Sequence, residues 1–250
     1  LSDEKKIIIA LAIPTYGNIT GLFFDFYHDL LIELSKHKIY YIKLHFHGDS
    51  LITRARNYLL SEYYYYTKIY PLTHLLFLDS DISVDPYAVA RMILDSIEEN
   101  IDVIGGYVPI KEFISDRSRQ PIGYKHTYNI DPPCFINREK KLQKVDYLTT
   151  GLIALKTNVV NQLVKDAKIK KQWYHHELPE GTKRVFDIFK CDIRKKSMGD
   201  KVLPIYLSED WYLCELLKEL NFDVVVDLRM NITHRGHYDY KFLSATIKEE

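Results

Sequence analysis

Asp79 and Asp81, separated by one serine, are the side chains whose types and spacing point most directly to chemistry. They follow Leu75, Leu76, Phe77 and Leu78, and a short continuous apolar run of this kind reads as a strand buried on both faces. Side chains alternate along a strand, so the two acids are expected to leave it on one side. Ligand sites in parallel sheets gather at the carboxyl ends of the strands. Two carboxylates there repel each other unless a cation lies between or beside them. The D-x-D, with Ser80 at its centre, therefore reads as the metal and nucleotide end of a site. Aspartates after a strand are also common turn formers. Asp85, followed by Pro86, is expected to serve only as a helix cap.

Two later stretches carry further candidates. Ser208-Glu209-Asp210 precedes an apolar run over 213–220, which reads as a helix start with acids at the positive end of the dipole. Those acids can cap, or they can move a proton. The stretch Asn231-Ile232-Thr233-His234-Arg235-Gly236-His237 follows a last β-prone run over 222–228 and offers histidines. No G-x-G-x-x-G follows the first strand and no G-x-x-x-x-G-K-[ST] occurs, which disfavours a dinucleotide fold and a P-loop NTPase.

The elements that must position these residues follow from periodicity. A β-branched run over 6–12 ends at the loop 14–18, placed to hold a nucleoside at the sheet edge. Apolar residues at helical spacing over 20–37 make a first helix, 39–46 a second strand and 51–66 a second helix capped by Asp49 or Ser50. The D-x-D strand, a helix over 87–98 and a strand over 102–107 complete a βαβαβαβ pattern. That pattern specifies an α/β fold with a mostly parallel sheet covered by helices on both faces. The prolines and glycine of 110–141 suggest a small antiparallel excursion. Residues 145–156 return to strand character, with Gly151 where backbone can approach a ligand. The polar segment 168–204 reads as a mobile loop, a surface insertion or an active-site lid. His175 and His176 within it read as solvated surface, and the tyrosine run 63–66 reads as packing.

Length fits one domain, with a nucleotide-binding half over about 1–110 and an acceptor-side half over about 111–250. Lys+Arg and Asp+Glu both number 34, so no nucleic acid or other polyanion is implied as partner. Three cysteines without C-x-x-C spacing exclude a disulfide framework and suggest a reducing, cytoplasmic setting. The apolar run 7–13 is too short for a membrane span, and no signal peptide is seen. The chain starts at Leu1 rather than Met, as an excised domain would.

Taken in order, the nucleoside loop, D-x-D, S-E-D and His-x-Gly resemble the GT-A-fold glycosyltransferases. The resemblance is to the small glycosyltransferase domains of large DNA viruses in particular, on Arg54-Ala55-Arg56-Asn57, Leu78-Asp79-Ser80-Asp81, Thr150-Gly151-Leu152 and Ser208-Glu209-Asp210. It spans residues 6–240. It implies transfer of a sugar from a nucleotide-sugar, a UDP-sugar favoured, to a glycan or other hydroxyl acceptor, in the host cytoplasm or a virion. Asp81 would ligate Mn²⁺ or Mg²⁺, Asp79 would contact the ribose or share the metal, and His234 would be the late ligand, with His237 as fallback. Thr15, Tyr16, Asp49 and Arg54 are the nucleoside and phosphate candidates. Asp210, or Glu209 second, would take the acceptor's proton in an inverting reaction. Trp211 is either a sugar platform or core.

The alternatives are a haloacid-dehalogenase-like phosphatase with Asp79 as nucleophile, a nucleotide-sugar-handling nucleotidyltransferase, and a glycan-binding module without turnover. Ser83 and the position of the motif after two βα units depart from the phosphatase pattern, and residues 14–18 are not a Gly-rich nucleotidyltransferase loop.

Overall fold

The computed structural model describes residues 6–109, 111, 113–115, 121–124, 140–178, 181–198, 201–236 and 239–242. The first half alternates as the sequence predicts: β1 (Ile7–Thr15), α1 (Gly21–Lys36), β2 (Ile39–His47), α2 (Ile52–Tyr66), β3 (His74–Leu78), a short β4 (Ile82–Val84), α3 (Pro86–Glu98) and β5 (Val103–Gly106). Local chemistry sets the helix starts. Thr20 Oγ1 accepts from the Phe23 amide at 3.1 Å to cap α1, and Asp85 caps α3 ahead of Pro86. The second half contains β6 (Phe113–Ser115), β7 (Pro121–Tyr124), β8 (Leu142–Val145), β9 (Leu152–Lys156), α4 (Thr157–Ile169), β10 (Trp173–Leu178), β11 (Gly181–Phe186), β12 (Asp192–Met198), β13 (Lys201–Leu207), α5 (Glu209–Glu219), β14 (Val224–Asp227), β15 (Ile232–Arg235) and β16 (Asp239–Phe242).

Seven strands form one mixed sheet in the order β2-β1-β3-β9-β5-β14-β8. β1 pairs in parallel with β2 and β3, and β5 with β14, while β9 runs antiparallel between β3 and β5 and β8 antiparallel beside β14. The period of two is visible in the packing. Ile9, Leu11, Ile13, Leu76 and Leu78 face α1 and α3, while Ala10, Ala12, Leu75 and Phe77 face α2, α4 and α5. Both faces are covered, as the continuous apolar runs require.

Three expectations differ from the fold. Of the run 145–156, Val145 ends the edge strand β8, 146–151 form a connection, and only 152–156 are the central strand β9. Pairing β9 with β5 demands glycine, since a Cβ on Gly105 would lie 2.4 Å from Leu152 O. The polar segment 168–204 carries two antiparallel hairpins, β10–β11 and β12–β13. The cap of α2 is Leu51, which lacks a side-chain cap, although Asp49 Oδ1 accepts from the Leu51 amide at 2.9 Å. The expected excursion appears as the β6–β7 pair; the rest of 110–141 lies largely outside the described residues.

A candidate active site around Arg56

α2 presents Arg56 and Asn57 inward, each nearly inaccessible to solvent. Asn57 joins the helix to the segment after β11: its Oδ1 accepts from the Ile188 and Phe189 amides, and its Nδ2 donates to Asp187 Oδ1 and Phe189 O. Arg56 gathers the candidate acids. Its Nη2 donates to both oxygens of Asp79, at 3.1 and 3.0 Å, and its Nη1 donates to Glu209 Oε1 at 2.8 Å and lies 3.6 Å from Asp210 Oδ1. Burial opposes the Arg56 charge, but Asp79, Asp210 and Glu209 more than reverse this and hold it above its ordinary value. The guanidinium fork suits such a cluster, because its donors are fixed in one plane and cannot be neutralised.

Asp79 is the next side chain in the alternation that places Leu75 and Phe77 on the α2 face, which is why it meets Arg56. Its amide donates to Gly151 O at 2.9 Å, and a Cβ on Gly151 would lie 3.1 Å from Asp79 Oδ2. Gly151, just before β9, thus lets the backbone pass close to the carboxylate. Asp210 sits in the first turn of α5, with its Oδ1 accepting from the Thr150 amide at 3.2 Å and from the Thr150 hydroxyl. Burial pushes the Asp210 carboxyl up, Glu209 and Asp79 add to this, and Arg56 and Thr150 pull the other way.

β3 ends at Leu78, and a turn through Ser80 interrupts the alternation. The two acids meet different partners, Asp79 with Arg56 and Asp81 with His234 and Lys111. Asp81 meets β15 through the small sheet β16-β15-β4, in which His234 pairs with Ile82 and the Arg235 amide donates to Asp81 O at 2.7 Å. His234 Nε2 lies 3.4 Å from Asp81 Oδ1, and Lys111 Nζ lies 2.5 Å from Asp81 Oδ2. Burial alone would push the Asp81 carboxyl up, but the contacts to His234 and Lys111 overcome it and lower it to about 2.

His234 Nδ1 donates to Pro109 O at 2.7 Å, which fixes the ring with Nε2 facing Asp81. That is how a metal-binding histidine is commonly held. Carboxylate oxygen is a fitting donor for Mn²⁺ or Mg²⁺, and the added imidazole nitrogen suits Mn²⁺ better than Mg²⁺. Among the described residues no cluster of three or more histidine, cysteine or acidic side chains could hold a metal.

Arg56, Asp79, Glu209, Asp210, Trp211 and His234 line one cleft of about 560 Å³, within the size range of small-molecule sites. Thr149 Oγ1 and Arg56 Nε are also in its wall, buried and without a hydrogen-bond partner among the described residues. Trp211 stacks on Tyr147 with ring centroids 4.8 Å apart. The nucleoside candidates lie elsewhere along the same end of the sheet. Thr15 is buried at the end of β1, with Oγ1 3.1 Å from His45 Nε2, whereas Tyr16 is 72 % exposed. Asp49 and Arg54 pair with each other, at 2.5 and 2.7 Å, and this ion pair holds the Asp49 carboxyl below its ordinary range. His176 packs edge-on against Phe46 and Tyr58, and His175 against Trp173. The fallback ligand His237 lies outside the described residues.

The residue that sequence reasoning missed is Arg56. The R-A-R-N stretch contained the signal, but Arg54, two positions earlier on α2, was the expected phosphate contact.

No protein-family model matches the chain, and no curated protein matches it. Among solved structures, the chain is similar to a glycosyltransferase involved in the glycosylation of the major capsid of PBCV-1, with 13% identity and a TM-score of 0.31. The match covers 62% of this chain and 62% of that one, and so slight a likeness carries no argument.

Proposed function

We propose that the chain is a metal-dependent GT-A-type glycosyltransferase that moves a sugar from a nucleoside-diphosphate-sugar to a hydroxyl acceptor, inverting the anomeric centre. The observation that carries this reading is the cleft itself, where the D-x-D acid Asp79, the helix-start acids Glu209 and Asp210, and His234 converge from distant parts of the sequence. A UDP-sugar is the favoured donor on the resemblance alone.

Asp81 and His234 Nε2 would hold the divalent cation, which when bound supplies positive charge to the diphosphate leaving group. Asp79, fixed by Arg56 and Gly151, is oriented to accept a hydrogen bond from the donor's ribose. Asp210 Oδ1 is held by Thr150, and the carboxylate takes the acceptor hydroxyl's proton as the hydroxyl attacks. Its raised affinity for protons suits a base. The Thr149 hydroxyl, without a hydrogen-bond partner among the described residues, and the Trp211 face offer a polar and an apolar contact to a sugar.

Asp81→Ala is the direct test of the metal assignment. The variant is expected to fold and to lose at least about tenfold in UDP affinity in Mn²⁺, with little change in EDTA. Equal affinity of wild type and variant in Mn²⁺, measured by calorimetry, would remove Asp81 as a ligand.

A further inference from the structure

The two oxygens of Asp81 face different cationic or proton-seeking groups. Oδ1 faces His234 Nε2 at 3.4 Å, and Oδ2 accepts from Lys111 Nζ at 2.5 Å. One short segment leaving β5 serves both: Pro109 O fixes the His234 ring, and Lys111, two residues on, places its ammonium on Asp81. The contact is reached by solvent, with the Lys111 and Asp81 side chains 37% and 35% exposed. Lysine is a compact charge on a flexible four-carbon stem, so its ammonium can leave without moving the backbone. A monovalent cation thus stands on the carboxylate that the proposed function assigns to a divalent one.

We infer that Lys111 is a tethered counter-ion that occupies Asp81 in the metal-free protein and competes with the divalent cation for Oδ2. The inference rests on the metal reading of Asp81 and His234. Lys111 holds the Oδ2 side of the carboxylate, opposite His234. The same ammonium weakens binding of free cation, by competition and by like-charge repulsion. A cation arriving with a nucleoside diphosphate is at an advantage, because the diphosphate brings negative charge that offsets the repulsion.

The test is Mn²⁺ binding in the absence of nucleotide, read from the loss of the free-Mn²⁺ electron paramagnetic resonance signal on titration of wild type, Lys111→Met and Lys111→Arg. Lys111→Met should bind Mn²⁺ about tenfold more tightly, the size expected for removing one positive charge beside a divalent ion at a hydrated site. Lys111→Arg, which keeps the charge, should stay near wild type. If wild type binds Mn²⁺ and Lys111→Met binds equally or more weakly, the counter-ion role is overturned and the metal site stands. If neither protein binds Mn²⁺, with or without UDP, the counter-ion role and the metal assignment fall together.

Discussion

Replacing Arg56 by methionine should destabilise the domain by about 3–5 kcal/mol at neutral pH, the range found when one partner of a buried ion cluster is removed. The arginine side chain is only 4% exposed and faces Asp79, Glu209 and Asp210. Without it, neighbouring carboxylates would be left in a cleft with no internal counter-charge. Asp210 fixes the sign of the pH effect. Its folded-state proton affinity is already raised by burial, so its protonated form favours folding and that contribution is lost as pH rises through the folded value. Loss of Arg56 removes the main influence pulling in the other direction, so the deficit should be largest at neutral pH and shrink toward the ordinary carboxylate range of about 4. Urea unfolding of both proteins across this range measures it. A loss below about 1 kcal/mol, or one independent of pH, would contradict the ion-cluster account. Lys in place of Arg should recover little, since one ammonium cannot reproduce the bidentate contact to Asp79 while also meeting Glu209.

Asp210→Asn should lower transfer to acceptor by about 10²–10⁴-fold, the usual contribution of a positioned general base, while leaving donor binding nearly unchanged. Asparagine keeps an oxygen for the Thr150 amide and hydroxyl, so the cleft geometry should persist. The wild-type pH–rate profile should have an acid limb with its midpoint above the ordinary aspartate value, because burial pushes this carboxyl up. That limb should vanish in the variant. Near-normal turnover in Asp210→Asn would pass the role of base to Glu209, whose Oε1 is otherwise committed to Arg56.

Apolar periodicity made the first half of the fold legible. Alternating residues of β1 and β3 bury on opposite faces, so a run such as Leu75–Leu76–Phe77–Leu78 could only be a doubly covered strand. β9 was not legible in position, because an apolar segment identifies a strand without saying which neighbours it enters between. The hairpins over 173–207 were hidden for a different reason. Their strands mix polar and apolar residues without a period of two, and their cross-strand pairing is invisible in one chain segment read alone.

The same limit explains the partial reading of the site. Asp79 was read from residue type at a strand end, and Glu209, Asp210 and His234 were singled out on the resemblance; one cleft brings all four together. Arg56 escaped because its face of α2 buries polar residues, Arg56, Asn57 and Ser61, alongside Ala55, Leu59 and Leu60. Hydrophobic periodicity cannot mark the inward phase of such a helix. Arg54, on the same turn, points outward to Asp49 instead. The turn through Ser80 was equally hidden, and it is what separates Asp79, held by Arg56, from Asp81, held by Lys111 and His234.

The most direct test of the central claim is thermal unfolding with UDP, GDP and CDP, each with Mn²⁺ or with EDTA. A ligand that binds only the folded state raises the melting temperature by mass action. The account predicts a Mn²⁺-dependent rise with one nucleoside diphosphate, UDP first, and its loss in Asp81→Ala. No rise with any nucleotide in Mn²⁺, together with stabilisation by inorganic phosphate in Mg²⁺, would contradict it and favour phosphate-ester chemistry at Asp79.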